Sequence, residues 1–281
     1  VSRIAARFAA LKAAGRGALI PFLEAGDPDA ATSLEILRGM PAAGADLIEI
    51  GCPFTDPMAD GPTIQLAGNR ALAAGATMAR TLGMVRDFRR GDAATPIILM
   101  GYLNPILSYD VERFCADAAA AGVDGLIIVD LPTEEADMVL PHAAAHGIDI
   151  IRLVAPTTDQ ARLPVVLEGS SGFVYYVSIT GVTGTRTASS AELAEAIPHI
   201  RALTDLPIAI GFGVRSPAQA AAAVVAADAA VVASVLIDTL AGSLDAQGRA
   251  GAETVRLVLD QVRGLAEGVR GARLPASRVL A

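Results

Sequence analysis

Two carboxylates are the residues of this chain best placed to do chemistry. Glu49 interrupts LIEIG, an apolar run that otherwise reads as fully buried. An isolated carboxylate in such a place must be neutralised, paired or used. Eleven residues later, Asp60 lies in GCPFTDPMADGPTIQ, a loop with three prolines. Asp56 and Asp60 both fit plain turn chemistry there, and Asp60 gains a second reading as a partner of Glu49. A carboxylate pair suits general acid–base work, one member handling a proton at each end of a bond being broken. Burial raises the pKa of the drier member, expected to be Glu49, so that it can deliver a proton near neutral pH.

A second cluster is built of small residues. GVTGTR (Gly181–Arg186), GFGV (Gly211–Val214) and Ala233-Ser234 each follow an apolar run. Glycine lets the backbone come close to a ligand, so that amides grip an oxyanion without cationic side chains. Three such turns in succession point to phosphate binding.

The elements that must position these groups follow a regular alternation. Apolar runs at Ala18–Leu23, Leu47–Gly51, Ile97–Gly101, Gly125–Val129, Ile150–Val154, Phe173–Ser178, Pro207–Gly211 and Ala229–Ala233 read as strands buried on both faces. Between them, Ala30–Ala43, Met78–Arg89, Val111–Ala121, Thr133–His146, Ser190–Ala202 and Pro217–Ala226 read as helices. Asp110, Thr133, Ser190 and Ser216 are expected N-caps, and Gly122 and Gly147 expected stops. Eight strand–helix units predict an α/β fold, a (β/α)8 TIM barrel with an extra N-terminal helix. One domain is expected over residues 1–281, with the added helix in 1–16 and a C-terminal tail over 266–281. A doubly wound sheet fits less well, because the first turn, EAGDPD, is no dinucleotide fingerprint. In a barrel, the polar residues to weigh are those at strand ends: Glu24, Glu49, Asn104, Asp130, Tyr175, Tyr176, Gly211–Gly213 and Ser234.

Composition narrows the function further. With 281 residues, a net charge of −8 and no basic stripe, the chain is a poor polyanion binder. No apolar run approaches the roughly 20 residues of a membrane span, and VSRIAARFAALKAAGRG is an amphipathic opening without a signal-peptide core. Cys52 and Cys115 cannot form a disulfide framework or a structural zinc site alone, so a reduced cytoplasm is the expected setting. His142, His146 and His199 lack the neighbours of a metal site, and Lys12, the only lysine, leaves a Schiff base nowhere to form.

Taken together, PFLEAGDPD, LIEIGCPFTDPMADGPTIQ, MGYLNP, VDLPTEE, FVYYVSITGVTG and GFGVRSP resemble, in order and spacing, the tryptophan synthase alpha-subunit family. The resemblance spans almost the whole chain. It implies retro-aldol cleavage of indole-3-glycerol phosphate to indole and glyceraldehyde 3-phosphate. It implies Glu49 as proton donor to indole C3 and Asp60 as the partner of the indole N–H. Phe22, Met100, Tyr102, Ile127, Leu153, Tyr175 and Phe212 are the implied substrate-binding residues, with Thr183 closing on Asp60 from a mobile loop. Gly184, Gly213, Ala233 and Ser234 are the implied phosphate-binding positions. No cofactor is implied in this chain. The implied partner is a pyridoxal-phosphate-dependent beta subunit in an alpha2beta2 heterotetramer, met by Pro53, Asp56, Asn104 and Pro132. Three positions depart from the family pattern. Ala233 stands where many relatives have glycine, Ile179 where some have arginine, and Glu24, often threonine, is expected to add negative charge at the mouth. The residues alone leave open a stand-alone lyase, a partner protein with lost catalysis, and a different phosphosugar enzyme on the same barrel.

Overall fold

The computed structural model describes residues 2–177, 190–211 and 213–272. Its strands are β1 (Ala18–Glu24), β2 (Ile48–Gly51), β3 (Ile97–Gly101), β4 (Gly125–Ile128), β5 (Asp149–Ile150), β6 (Arg152–Val154), β7 (Val174–Val177), β8 (Ile208–Gly211) and β9 (Ala229–Val232). All neighbours pair in parallel, in the order β5-β4-β3-β2-β1-β9-β8-β7-β6. The two ends of that order, β5 and β6, flank the single residue Ile151. The expected strand Ile150–Val154 is thus split: its first part pairs with β4 and its second with β7. The Ile151 amide bonds to Leu126 O at 2.9 Å, carrying the sheet across the break. The result is the expected barrel, a nearly closed ring of parallel strands.

The helices outside it are α1 (Arg3–Ala13), α2 (Ala30–Ala43), α3 (Pro62–Ala73), α4 (Met78–Arg89), α5 (Leu103–Tyr109), α6 (Val111–Ala121), α7 (Leu140–Ala145), α8 (Arg162–Leu167), α9 (Ser190–Arg201), α10 (Pro217–Ala226), α11 (Ser234–Gly242) and α12 (Thr254–Gly271). Asp110 and Ser216 cap α6 and α10 through their side chains, and Gly122 ends α6 at φ 95°. Thr133 is no N-cap. The expected helix Thr133–His146 is a 3-10 turn, Thr133–Met138, followed by the short α7. Pro141 explains the division, since it has no N–H to donate to a preceding turn and fits only the first turn of a new helix. Helix α12 runs past residue 266 to Gly271 with Ala266 and Val269 buried, so the chain is helical over the first part of the expected tail.

Helix α1 closes the bottom of the barrel. Ile4, Phe8 and Leu11 pack with the inward residues Ile20, Leu47, Ile98, Ile127, Ile151 and Phe173, and the Phe8 and Phe173 rings stand 5.8 Å apart. Burying such side chains contributes about 1.5–3 kcal/mol each. The wall between strands and helices is a separate apolar layer that takes the outward residues, among them Ile48, Ile50, Leu126 and Tyr176. This division leaves the C-terminal ends of the strands free to carry polar groups.

Candidate active site

Glu49 sits in the middle of β2, 1% exposed, with Phe22 of β1 and Ile98 of β3 as register partners. Its Oε2 is buried with no hydrogen-bond partner among the described residues. Burial, and then the charge of Asp60, push its pKa up to about 8. This is the acid the interrupted apolar run predicts: dry, with Oε2 unpartnered among the described residues, and protonated near neutral pH.

Asp60 stands at the end of the β2–α3 loop and is tied at three points. Its amide bonds to Pro57 O at 3.2 Å, and its carbonyl accepts from Gln65 Nε2 at 2.9 Å. The Tyr102 hydroxyl accepts the Ala59 amide at 3.1 Å, which directs its own proton toward the Asp60 carboxylate. Burial raises Asp60 to about 6 against the pull of that hydrogen bond. Asp60 therefore ionises first, and its charge holds the proton on Glu49. At pH 7 the pair is one anion and one acid.

The other inward residues form the floor and walls. Phe22 packs with Ile64 and Ala67 of α3 and Ile237 of α11, and Met100 touches both this group and the barrel interior. Ile127 and Leu153 lie in that interior, as does Tyr175. A Cβ on Gly211 would overlap the Tyr175 hydroxyl, so glycine there gives the phenol its room. Burial and the Glu49 charge raise the Tyr175 pKa, keeping the phenol protonated.

Across the mouth, Gly213 has φ 84°, a conformation that favours glycine. Ala233 precedes α11 with φ −120° and no side-chain cap, leaving the first amides of α11, from Ser234 on, without intrahelical partners. Such an end favours an anion. The methyl of Ala233 costs no backbone strain at that angle. Thr183, Gly184, Ile179 and Phe212 lie outside the described residues.

Several strand-end residues serve elsewhere. Tyr176 faces the outer helical layer, and Asp130 is exposed, accepting the Leu103 amide at 2.7 Å. Asp56 and Pro132 are exposed and Pro53 half-buried on the loops after β2 and β4, and Asn104 is exposed in the first turn of α5, which follows the adjacent strand β3. Glu24, expected to add charge, is 5% exposed, and burial raises its pKa well above the ordinary carboxylate range. What sequence reasoning missed is the helix α3 that covers the site and the Arg70–Asp27 ion pair behind it, at 2.7 and 2.8 Å. Among the described residues no group of His, Cys, Asp or Glu is arranged to hold a metal ion, and no helix is long and apolar enough to cross a membrane.

The family model described as "Tryptophan synthase alpha chain" matches residues 8–266. The chain belongs to the tryptophan synthase alpha chain family. It is 73% identical over 276 residues to the tryptophan synthase alpha chain of Granulibacter bethesdensis, covering 98% of this chain and 99% of that one. To the alpha chain of Gluconacetobacter diazotrophicus it is 70% identical, over 97% of this chain and all of that one. Among solved structures it is similar to tryptophan synthase subunit alpha from Legionella pneumophila, with TM-score 0.87, 35% identity and 96% and 99% of the two chains covered. It is also similar to a chain of tryptophan synthase from M. tuberculosis in its aminoacrylate-bound form, with TM-score 0.84, 36% identity and 96% and 100% covered. As a member of this family it is a lyase of tryptophan biosynthesis, cleaving indole-3-glycerol phosphate to indole and glyceraldehyde 3-phosphate.

Proposed function

We propose that Glu49 and Asp60 divide this cleavage between them. Glu49, as the acid, delivers its proton to indole C3, giving the indolenine tautomer with positive charge on the ring nitrogen. Asp60, as the anion, accepts the N–H and stabilises that charge. The Glu49 carboxylate then takes the proton of the glycerol hydroxyl next to the ring. The new carbonyl forms as the bond to C3 breaks, its electron pair returns to the ring, and Glu49 is an acid again. The observation that carries this assignment is the contrast in surroundings: Glu49 is 1% exposed with Oε2 unpartnered among the described residues, whereas Asp60 lies beside the Tyr102 hydroxyl that its loop holds in place.

Phe22, Met100, Ile127, Leu153 and Phe212 enclose the indole, Tyr102 orients Asp60, and Tyr175 faces the glycerol chain. The phosphate lies on the amides of Gly184, Gly213, Ala233 and Ser234, and Thr183 closes over Asp60. A beta subunit carrying pyridoxal phosphate takes the indole, docking on Pro53, Asp56, Asn104 and Pro132 in an alpha2beta2 assembly in the cytoplasm. Exposed Met58, Leu66 and Leu107 near those loops support an apolar contact there.

Indole release from indole-3-glycerol phosphate, with and without an added beta subunit, tests the reading. We expect a bell-shaped kcat/KM with limbs near 6 and 8, a strong acceleration by the partner, and a loss of about 1,000-fold or more in Glu49→Gln. Substantial turnover by a folded Glu49→Gln would remove Glu49 from the donor role.

A further inference from the structure

The barrel has a seam. Gly125 and Leu126 of β4 pair with β5, whereas Ile127 and Ile128 pair only with β3, because the chain passes Ile151 into β6, which pairs with β7. Among the described residues the upper half of β4 therefore lacks a ladder neighbour on one side. Arg152, the first residue of β6, reaches across that gap. Its Nη1 donates to Leu131 O at 3.2 Å, on the loop that follows β4. Arg152 pairs in register with Val174 and shares a face with Val154, so its stem runs through the apolar layer between strands and helices.

Arg152 is 5% exposed, and its Nε and Nη2 are buried with no hydrogen-bond partner among the described residues. No ion pair of the described residues includes it. A guanidinium in an apolar layer is costly unless it is paired and its donors are used. Replacing such a buried charge by an apolar residue of similar volume is often neutral or stabilising. What sets Arg152 apart from an apolar residue of its length is the bond to Leu131. That carbonyl stands between two contacts of the mouth. Pro132 follows it directly, and the Asp130 carboxylate before it accepts the Leu103 amide at 2.7 Å, at the start of α5 and next to Asn104. Farther along the loop, Glu134 accepts from Arg162 Nη2 of α8 at 2.8 Å. Both members of that pair are exposed, which makes it a weak tether and leaves Arg152 as the buried one.

We propose that Arg152 is a positioning residue for the partner surface. By holding Leu131 across the seam it fixes Pro132 and, through Asp130, the first turn of α5 with Asn104, in the arrangement that a beta subunit meets. A loop ordered before docking spares the complex the cost of ordering it. This rests on the reading of Pro132 and Asn104 as partner contacts.

Two variants of the full chain test it, Arg152→Met, which removes the donors but keeps the stem, and Arg152→Lys, which keeps a charged donor of nearly the same reach. Three quantities are read: the melting temperature, amide hydrogen exchange by mass spectrometry, and the affinity for a purified tryptophan synthase beta subunit carrying pyridoxal phosphate. Arg152→Met should melt within about 3 °C of wild type. Its amides over residues 129–135 and at Leu103 should exchange at least about tenfold faster, with the other strands unchanged. Its affinity for the beta subunit should fall about tenfold or more, and Arg152→Lys should recover most of both losses. A folded Arg152→Met whose loop exchanges as in wild type would show that the bond does not hold the loop. A loosened loop with unchanged affinity would show that its placement does not matter to the partner. An Arg152→Met chain that melts far lower or does not fold, with exchange faster throughout, would assign Arg152 to the stability of the barrel. Each of these three results overturns the proposal. Failure of wild type itself to bind the beta subunit would count against the docking reading and take the partner role of Arg152 with it, while the exchange data would still decide what Arg152 holds.

Discussion

Asp46 and Asp124, at the bottom of the barrel, are as buried as Glu49 and Glu24 at the top, 1% and 5% exposed at each end. Their surroundings are opposite. Asp46 receives Arg7 and Arg16, each at 2.7 Å, together with the Leu19 amide at 3.0 Å. Asp124 receives Arg3 at 2.8 Å, Arg89 at 2.7 Å and the Ile97 amide at 2.8 Å. The bottom acids thus tie the first residues of strands to α1 and α4. Among the described residues no arginine is hydrogen-bonded to Glu49 or Glu24, and burial raises the pKa of each. Burial alone does not say what a carboxyl will do. The counter-charge decides whether it becomes a fixed anchor or a proton source.

That contrast can be broken at either end. The largest effect on stability is expected at the bottom. Asp124→Ala strands the nearly buried Arg89 guanidinium and the Ile97 amide, and should cost about 3–4 kcal/mol in urea unfolding. At the top the sign reverses. Unfolded Glu49 loses its proton near 4.5 and folded Glu49 near 8, so between those values the folded chain holds the extra proton and loses stability as pH rises. Glu49→Gln should therefore be the more stable protein at pH 8, and the gain should shrink steadily and vanish as the pH falls through 4.5. Urea curves at pH 5 and pH 8 check this. The smallest effect is expected at Ala233. Since its φ is already negative, Ala233→Gly should change the affinity for glyceraldehyde 3-phosphate by about threefold or less.

Much of the positioning frame is legible in the sequence, because strands buried on both faces leave unalternating apolar runs and Glu49 breaks one of them. Helix α3 is harder to see. It begins at Gly61-Pro62 with no side-chain cap, directly after a proline-rich loop, so its start carries none of the usual hydroxyl or carboxyl signals. The split at Ile151 is invisible because both halves are apolar, and which neighbour each half bonds to is settled only when the ring closes. Glu24 shows the limit most clearly. As a residue type it adds charge at the mouth, but its surroundings include the space that Gly51 leaves for its Oε2 and an Arg70 already held by Asp27. Those are tertiary facts that no local pattern records.

Carbon-13 NMR titration of the side-chain carboxyls tests the central claim most directly. The account predicts one resonance titrating near 6 that disappears in Asp60→Asn, and one near 8 that disappears in Glu49→Gln. If both instead titrate within the ordinary carboxylate range, the top of the barrel holds no proton source at neutral pH, and the division of labour between Glu49 and Asp60 is wrong.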